Sequence, residues 1–183
     1  MAPRSVCVFC GSKTGSRPEY AAAAGELGRL LAMRGIRLVY GGGSSGLMGV
    51  IADASLGAGG EVVGVMPRLL VNREVAHLGL TKLHIVETMH ERKALMADLS
   101  DAFVAMPGGI GTFDELFEIV TWRQIGFHSK PFAFLNVAGY YDPLLALADH
   151  AVTEGFLGPQ HRAMLVSESD PARLLEKFSE SRG

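Results

Sequence analysis

What this 183-residue chain lacks removes several chemistries at once. Its six histidines form no HxH or HExxH pattern and no Cys/His cluster, so no metal centre is expected. There is no GxSxG elbow for a serine nucleophile and no GxxxxGK[ST] loop for a nucleoside triphosphate. No apolar run is long enough to span a bilayer, and the stretch MAPRSVCVFCGS is too short in hydrophobic length for a signal peptide. A cytoplasmic protein is therefore expected. A formal net charge of -2 gives no electrostatic reason for a nucleic-acid partner. The two cysteines, Cys7 and Cys10, form a CxxC, but redox pairs sit at a helix N-terminus. SVCVFC reads instead as a buried strand, in which positions three apart point to opposite faces. Two small buried thiols in a reducing compartment are the reading.

What is present is an alternation of strand-like and helix-like segments. Strands are expected near Ser5–Cys10, Ile36–Tyr40, Glu61–Met66, Lys82–Val86, Ala102–Met106 and Pro131–Leu135, with a weaker one near Met164–Ser167. Helices are expected near Pro18–Arg34, Leu47–Leu56, Met89–Ser100, Phe113–Gln124, Tyr141–Glu154 and Pro171–Phe178. No linker or repeat interrupts the series. The expected fold is a single α/β domain over residues 1–183, a Rossmann-like doubly wound parallel sheet with helices on both faces. Its ligand belongs outside the carboxyl ends of the strands.

Two glycine turns follow strands there. In PGGIGTFDE, Pro107 stiffens the strand exit, and Gly108, Gly109 and Gly111 remove the side chains that would keep an anion off the backbone. The new helix then offers free N–H groups and the positive end of its dipole. Thr112 and Glu115 also stand at capping-box spacing, and for Glu115 alone that is the plainer job. The second turn, GGGSSG (Gly41 to Gly46), matches GxGxxG in its strand-to-helix context, so phosphate or ribose is expected near Gly42 and Gly43. NAD is not expected, because the one acid at a suitable distance, Glu61, begins the next strand instead of ending it. The loop GSKTGSRP, with Lys13 and several hydroxyls, reads by default as a flexible polar loop, with an occasional phosphate or ribose contact as the alternative.

PRLLVNREVAH reads as a flap over the site. In the segment that follows, Met89, Arg92, Leu95, Met96 and Leu99 share one helical stripe, placing Arg92 on the apolar side. A buried-side arginine needs a ligand anion or an internal acid such as Glu115 or Glu118. Lys93 either reaches the same anion or points to water. On the next helix Phe113, Leu116, Phe117, Val120 and Trp122 spread apolar surface over more than one face, which suggests a homodimer.

VCVFCGS, LVYGGGSSGLMG, VMPRLL, MHERK, MPGGIGTFDEL, VTW and LNVAGYYD together cover nearly the whole chain. In these stretches it resembles the Lonely-Guy (LOG) family of cytokinin-activating phosphoribohydrolases, long labelled lysine decarboxylases. The resemblance implies hydrolysis of the N-glycosidic bond of N6-modified adenosine 5′-monophosphates to free base and ribose 5-phosphate. It implies no cofactor and a homodimer. It also implies that Arg92 and Glu115 are the essential pair. Nucleotide contacts are implied for Glu74, Arg92, Lys93, Thr121 and the turn Pro107, Gly108, Gly109, Ile110, Gly111, Thr112 and Phe113. Ile110, where plant members usually carry an aromatic residue, and the flap VNREVAH both depart from the plant pattern and bear on base preference.

Chemistry and resemblance agree on a mechanism. Breaking a ribosyl C–N bond develops oxocarbenium charge, which a carboxylate beside C1′ stabilises while holding the attacking water. Glu115 is assigned that role, and Arg92 with the turn amides the phosphate or ribose. The group that protonates the purine is left open between Glu74 and water. A nucleotide sensor without turnover and a pyridoxal-dependent decarboxylase are the rival classes. The first would be expected to lose Arg92 or Glu115. The second needs a Schiff-base lysine for which only Lys93 is placed.

Overall fold

The computed structural model describes residues 3–71 and 75–180. Its strands are β1 (Ser5–Phe9), β2 (Arg37–Tyr40), β3 (Val62–Pro67), β4 (Lys82–Val86), β5 (Ala102–Ala105), β6 (Phe132–Leu135) and β7 (Val166–Glu168). All pair in parallel in one sheet of order β4-β3-β2-β1-β5-β6-β7. The helices are α1 (Pro18–Met33), α2 (Gly46–Gly57), α3 (Met89–Asp98), α4 (Ile110–Gln124), α5 (Asp142–Thr153), α6 (Pro159–Arg162) and α7 (Pro171–Glu180).

The inner strands are short unbroken apolar runs because helices cover both of their faces. All of SVCVF in β1 is buried. One core lies under α1, α2 and α7, with Leu27, Leu31, Ile51, Leu174 and Phe178 against Val6, Val8 and Leu38. The other lies under α3, α4 and α5, with Met96, Leu116 and Ile119 against Val39, Phe103 and Phe134. Cys10 belongs to the first core and Cys7 to the second, as strand alternation requires, and both are free thiols.

From β1 the chain winds outward through β2, β3 and β4, then returns to pair β5 against the other edge of β1. The reversal lies between β1 and β5, where Phe9 pairs with Ala105. Past the pairing, Met106 N–H donates to Phe9 O at 2.8 Å and Gly11 N–H to Pro107 O at 3.0 Å. The two following loops are thus tied side by side, and that is where such folds leave a crevice.

The expected strands and long helices are present, with ends shifted by a residue or two. Four-residue α6 was not expected, since one turn shows no periodicity. The larger shift is in α4, which begins at Ile110 instead of Phe113. Glu61 precedes β3 and pairs with Arg37 at 2.8 Å, at the sheet edge opposite the crevice. Among the described residues no helix is long and apolar enough to cross a membrane.

Candidate active site

A cavity of about 360 Å³ opens at the reversal point. Its walls are Val8 in β1, Cys10, Gly11 and Ser12 after it, Gly41 after β2, and Met48 on α2. Leu70, Met89 and Arg92 close a second side, and Gly109, Ile110, Gly111, Thr112 and Glu115 the third. Sequence reasoning read Cys10 only as a buried thiol and gave neither it nor Met48 a place in the site. Burial first, and the Glu115 carboxylate second, push the Cys10 thiol well above its ordinary range. This thiol is a neutral wall, not a nucleophile.

At the PGGIGT turn Gly109 is extended (φ -100, ψ -156) and serves as N-cap. The first bond within the helix is Phe113 N–H to Gly109 O at 3.0 Å, which leaves the amides of Ile110, Gly111 and Thr112 without helical acceptors. Gly108 must be glycine: a Cβ there would lie 2.1 Å from Thr112 Oγ1 and 3.0 Å from the Gly11 nitrogen. Gly109 and Gly111 have nothing within 4 Å of a built Cβ, and both line the cavity. From behind, the Tyr140 hydroxyl donates to Gly108 O, and Tyr141 Oη donates to Met106 O at 2.6 Å. The capping-box reading of Thr112 and Glu115 is corrected here. Thr112 is the third residue of the helix instead of its cap, and Glu115 lies a further turn in. The extended glycine makes the entry that a threonine side chain would otherwise have stabilised.

A capping pattern does exist on α3. Thr88 Oγ1 accepts from Glu91 N–H at 3.1 Å, and Glu91 Oε2 accepts from Glu87 N–H at 2.9 Å. That fixed start brings Arg92 inward, only 4% exposed. Its Nε donates to Val65 O at 3.1 Å, its Nη2 to Gly41 O at 3.0 Å, and its Nη1 lies 3.7 Å from Glu115 Oε1. Glu115 is itself only 9% exposed. Of the alternatives open for Arg92, the internal acid is thus realised. Much of the guanidinium is spent on strand-end carbonyls that no sequence pattern could have named.

The GGGSSG turn works mainly within the protein. A Cβ on Gly41 would sit 2.2 Å from Arg92 Nη2. Gly42 O accepts from His77 N–H at 2.9 Å, and Gly43 O accepts from Tyr40 Oη at 3.1 Å. Ser44 Oγ donates to Val75 O at 2.7 Å and Gly43 bridges Ala76, so this end of the flap is stitched to the turn. Gly41 lines the cavity, whereas the bonds of Gly42 and Gly43 go to the flap and Tyr40.

Lys93 is buried beside Arg92 but directed to α4, with Nζ 3.1 Å from Asp114 Oδ2 and 2.9 Å from Glu118 Oε2. Burial pulls its ammonium down, and Glu118 and Asp114 more than reverse this. Phe113 is half-buried against the second core. Thr121 is exposed, in a groove between α4 and α5 with Phe117, Leu147 and Phe156. Glu74 lies outside the described residues. The structure therefore gathers Arg92, Glu115 and Gly109 to Thr112, with Pro107 and Gly108 behind them. It does not bring Lys93 or Thr121 to the same cavity.

A parallel sheet with a helix-amide cleft at its reversal point defines a Rossmann-like α/β protein. At the level of fold it is similar to the molybdenum cofactor binding protein from Rippkaea orientalis, with a TM-score of 0.73 at 20% identity over 98% of this chain and 97% of that one. The family model described as possible lysine decarboxylase matches residues 48–178. A probable cytokinin riboside 5′-monophosphate phosphoribohydrolase of Oryza sativa subsp. japonica is 52% identical over 177 residues, 97% of this chain and 78% of that protein. The cytokinin riboside 5′-monophosphate phosphoribohydrolase of Rhodococcoides fascians is 50% identical over 165 residues, 90% of this chain and 83% of that one. The chain belongs to this family of phosphoribohydrolases, the one whose model carries the decarboxylase description.

Proposed function

We propose that this protein hydrolyses the N-glycosidic bond of adenosine 5′-monophosphates, including N6-modified ones of the cytokinin type. The observation that carries the reading is the nearly buried Glu115 carboxylate, held by Arg92 beside three open helix amides in one cavity. The names of relatives at about half identity support the same reaction. The amides of Ile110, Gly111 and Thr112 receive the anionic end of the ligand, favoured by the α4 dipole. Glu115 faces C1′. The C1′–N9 bond breaks with its electron pair going to the purine, and the sugar gains oxocarbenium character that the carboxylate stabilises. Water held by Glu115 forms the new C1′–O bond, and with one of its protons the purine becomes the free base. Arg92 contributes by fixing Glu115. This narrows the phosphate role first expected of it.

The reading extends to a second copy of the chain, covering the face where Phe117 of α4 and Leu147 and Phe156 beyond it stand exposed. Thr121 and the Lys93 cluster lie on or beside that face, so a homodimer would give the family's contact positions there a role. Light scattering at micromolar concentration should return twice the chain mass, and a monomer mass would end this part. Two free buried thiols fit a reducing cytoplasm. The reaction is tested by incubating the protein with AMP and isopentenyladenosine monophosphate and measuring free base. Tight nucleotide binding without base release would leave a sensor, and lysine consumption dependent on pyridoxal phosphate would restore the decarboxylase label.

A further inference from the structure

Both cations expected to meet the ligand's charge are engaged elsewhere. Arg92 bonds Val65 O and Gly41 O and stands against Glu115, and Lys93 stands against Asp114 and Glu118. A phosphomonoester carries nearly two negative charges at neutral pH, and the α4 amides offer only partial ones. A second cavity of about 360 Å³ shares Gly11, Ser12 and Gly109 with the first, so the two meet across the reversal point. Lys13 lines it, with Tyr20 and Tyr140 in edge-to-face contact at 5.9 Å as its aromatic wall.

The root of Lys13 is held. Leu47 N–H donates to Gly11 O at 3.0 Å, and a Cβ on Gly46 would lie 2.3 Å from the Lys13 nitrogen. The polar loop of the sequence reading is thus seated on the second glycine turn. Among the described residues no carboxylate lies within ion-pair distance of Lys13, which is exposed and lines the second cavity.

We infer that Lys13 is the counter-charge that selects a phosphorylated ligand. The phosphomonoester sits where the two cavities meet, between the α4 amides and the Lys13 ammonium. This rests on the hydrolase reading for the substrate, but Lys13 is tested by binding as well as turnover. Lys13→Gln should raise KM and the calorimetric Kd for AMP about tenfold, with a shallower salt dependence than the parent. Its kcat should stay within about twofold and its affinity for adenosine should match the parent, because only the anion is affected. Lys13→Arg should restore most of the affinity. Arg17→Gln, four positions on and outside the cavity lining, should behave as parent. The inference is overturned if Lys13→Gln binds AMP as the parent does, or weakens adenosine equally. It is also overturned if Arg17→Gln loses as much, which would make the effect one of general loop charge. If the parent releases no base yet Lys13→Gln still weakens AMP binding, the hydrolase reading falls and Lys13 keeps its role.

Discussion

In the turn from Gly41 to Gly46, a methyl group on Gly41 would lie 2.2 Å from Arg92 Nη2, and one on Gly46 would lie 2.2 Å from the Ser12 carbonyl carbon. In the turn from Gly108 to Gly111, a methyl group on Gly109 or Gly111 would meet nothing within 4 Å. As letters the two turns look like the same device. One uses glycine so that the protein can close on itself; the other does so only at Gly108, and stays open at Gly109 and Gly111 so that something else can approach. Glycine in a strand-to-helix turn is therefore not evidence of a ligand until its surroundings are known. The crowded turn still serves the open one. Its Gly41 carbonyl holds Arg92, which holds Glu115, and its Gly46 seats the Lys13 loop.

The most damaging way to probe this division is to cut the link between the turns. Arg92→Ala takes the guanidinium away from the Val65 and Gly41 carbonyls and from Glu115, and should cost about 3–5 kcal/mol of stability along with activity. An unchanged urea midpoint would mean that Arg92 serves only the ligand. Next is the chemistry beside the open turn. Glu115→Gln should slow base release roughly 10²–10³-fold, about 3–4 kcal/mol in barrier, while AMP still binds. Turnover at the parent rate would return Glu115 to a structural role. Gly46→Ala adds a Cβ at φ +60 against the Ser12 and Lys13 backbone, and about 2–3 kcal/mol of stability should go. A parent-like melting curve would show that this turn is not close-packed. Gly111→Ala should do the reverse, leaving the melt in place and weakening AMP binding by about 1 kcal/mol, seen by calorimetry. The smallest effect is expected behind the open turn, where Tyr140→Phe removes the hydroxyl bond to Gly108 O. A loss of about 0.5 kcal/mol is expected, the low end for a hydrogen bond, and no change in melting would show that the turn keeps its shape unaided.

Much of this was readable in the letters because the signals are local. Unbroken runs such as SVCVF and the apolar stripe on α3 gave the strands and the inward position of Arg92. The match of MPGGIGTFDEL and MHERK to a known family pointed at Arg92 and Glu115, which lie 3.7 Å apart in the wall of one cavity. What escaped was set by contacts distant in sequence. Arg92 finds Val65 and Gly41 across 27 and 51 residues, so its engagement has no local signature. The start of α4 was misplaced because T-x-x-E suggests a cap wherever it occurs, while an extended Gly109 leaves no mark in the string. Thr121 could be assigned to a ligand by resemblance alone, and one chain puts it in the groove between α4 and α5.

The position of β1 at the centre of the sheet also dictates an order of events in time. Its first edge pairs with residues 37–39, soon after they are made, but its second pairs with residues 102–105. Until the chain has grown past β5 that second edge stays open, and the cleft has neither its α4 wall nor its carboxylate. Pairings of this sequence separation pay loop entropy before they return any contact, which slows folding and exposes an edge meanwhile. The cleft of this protein is thus assembled late in folding, on a half-sheet that must wait for it.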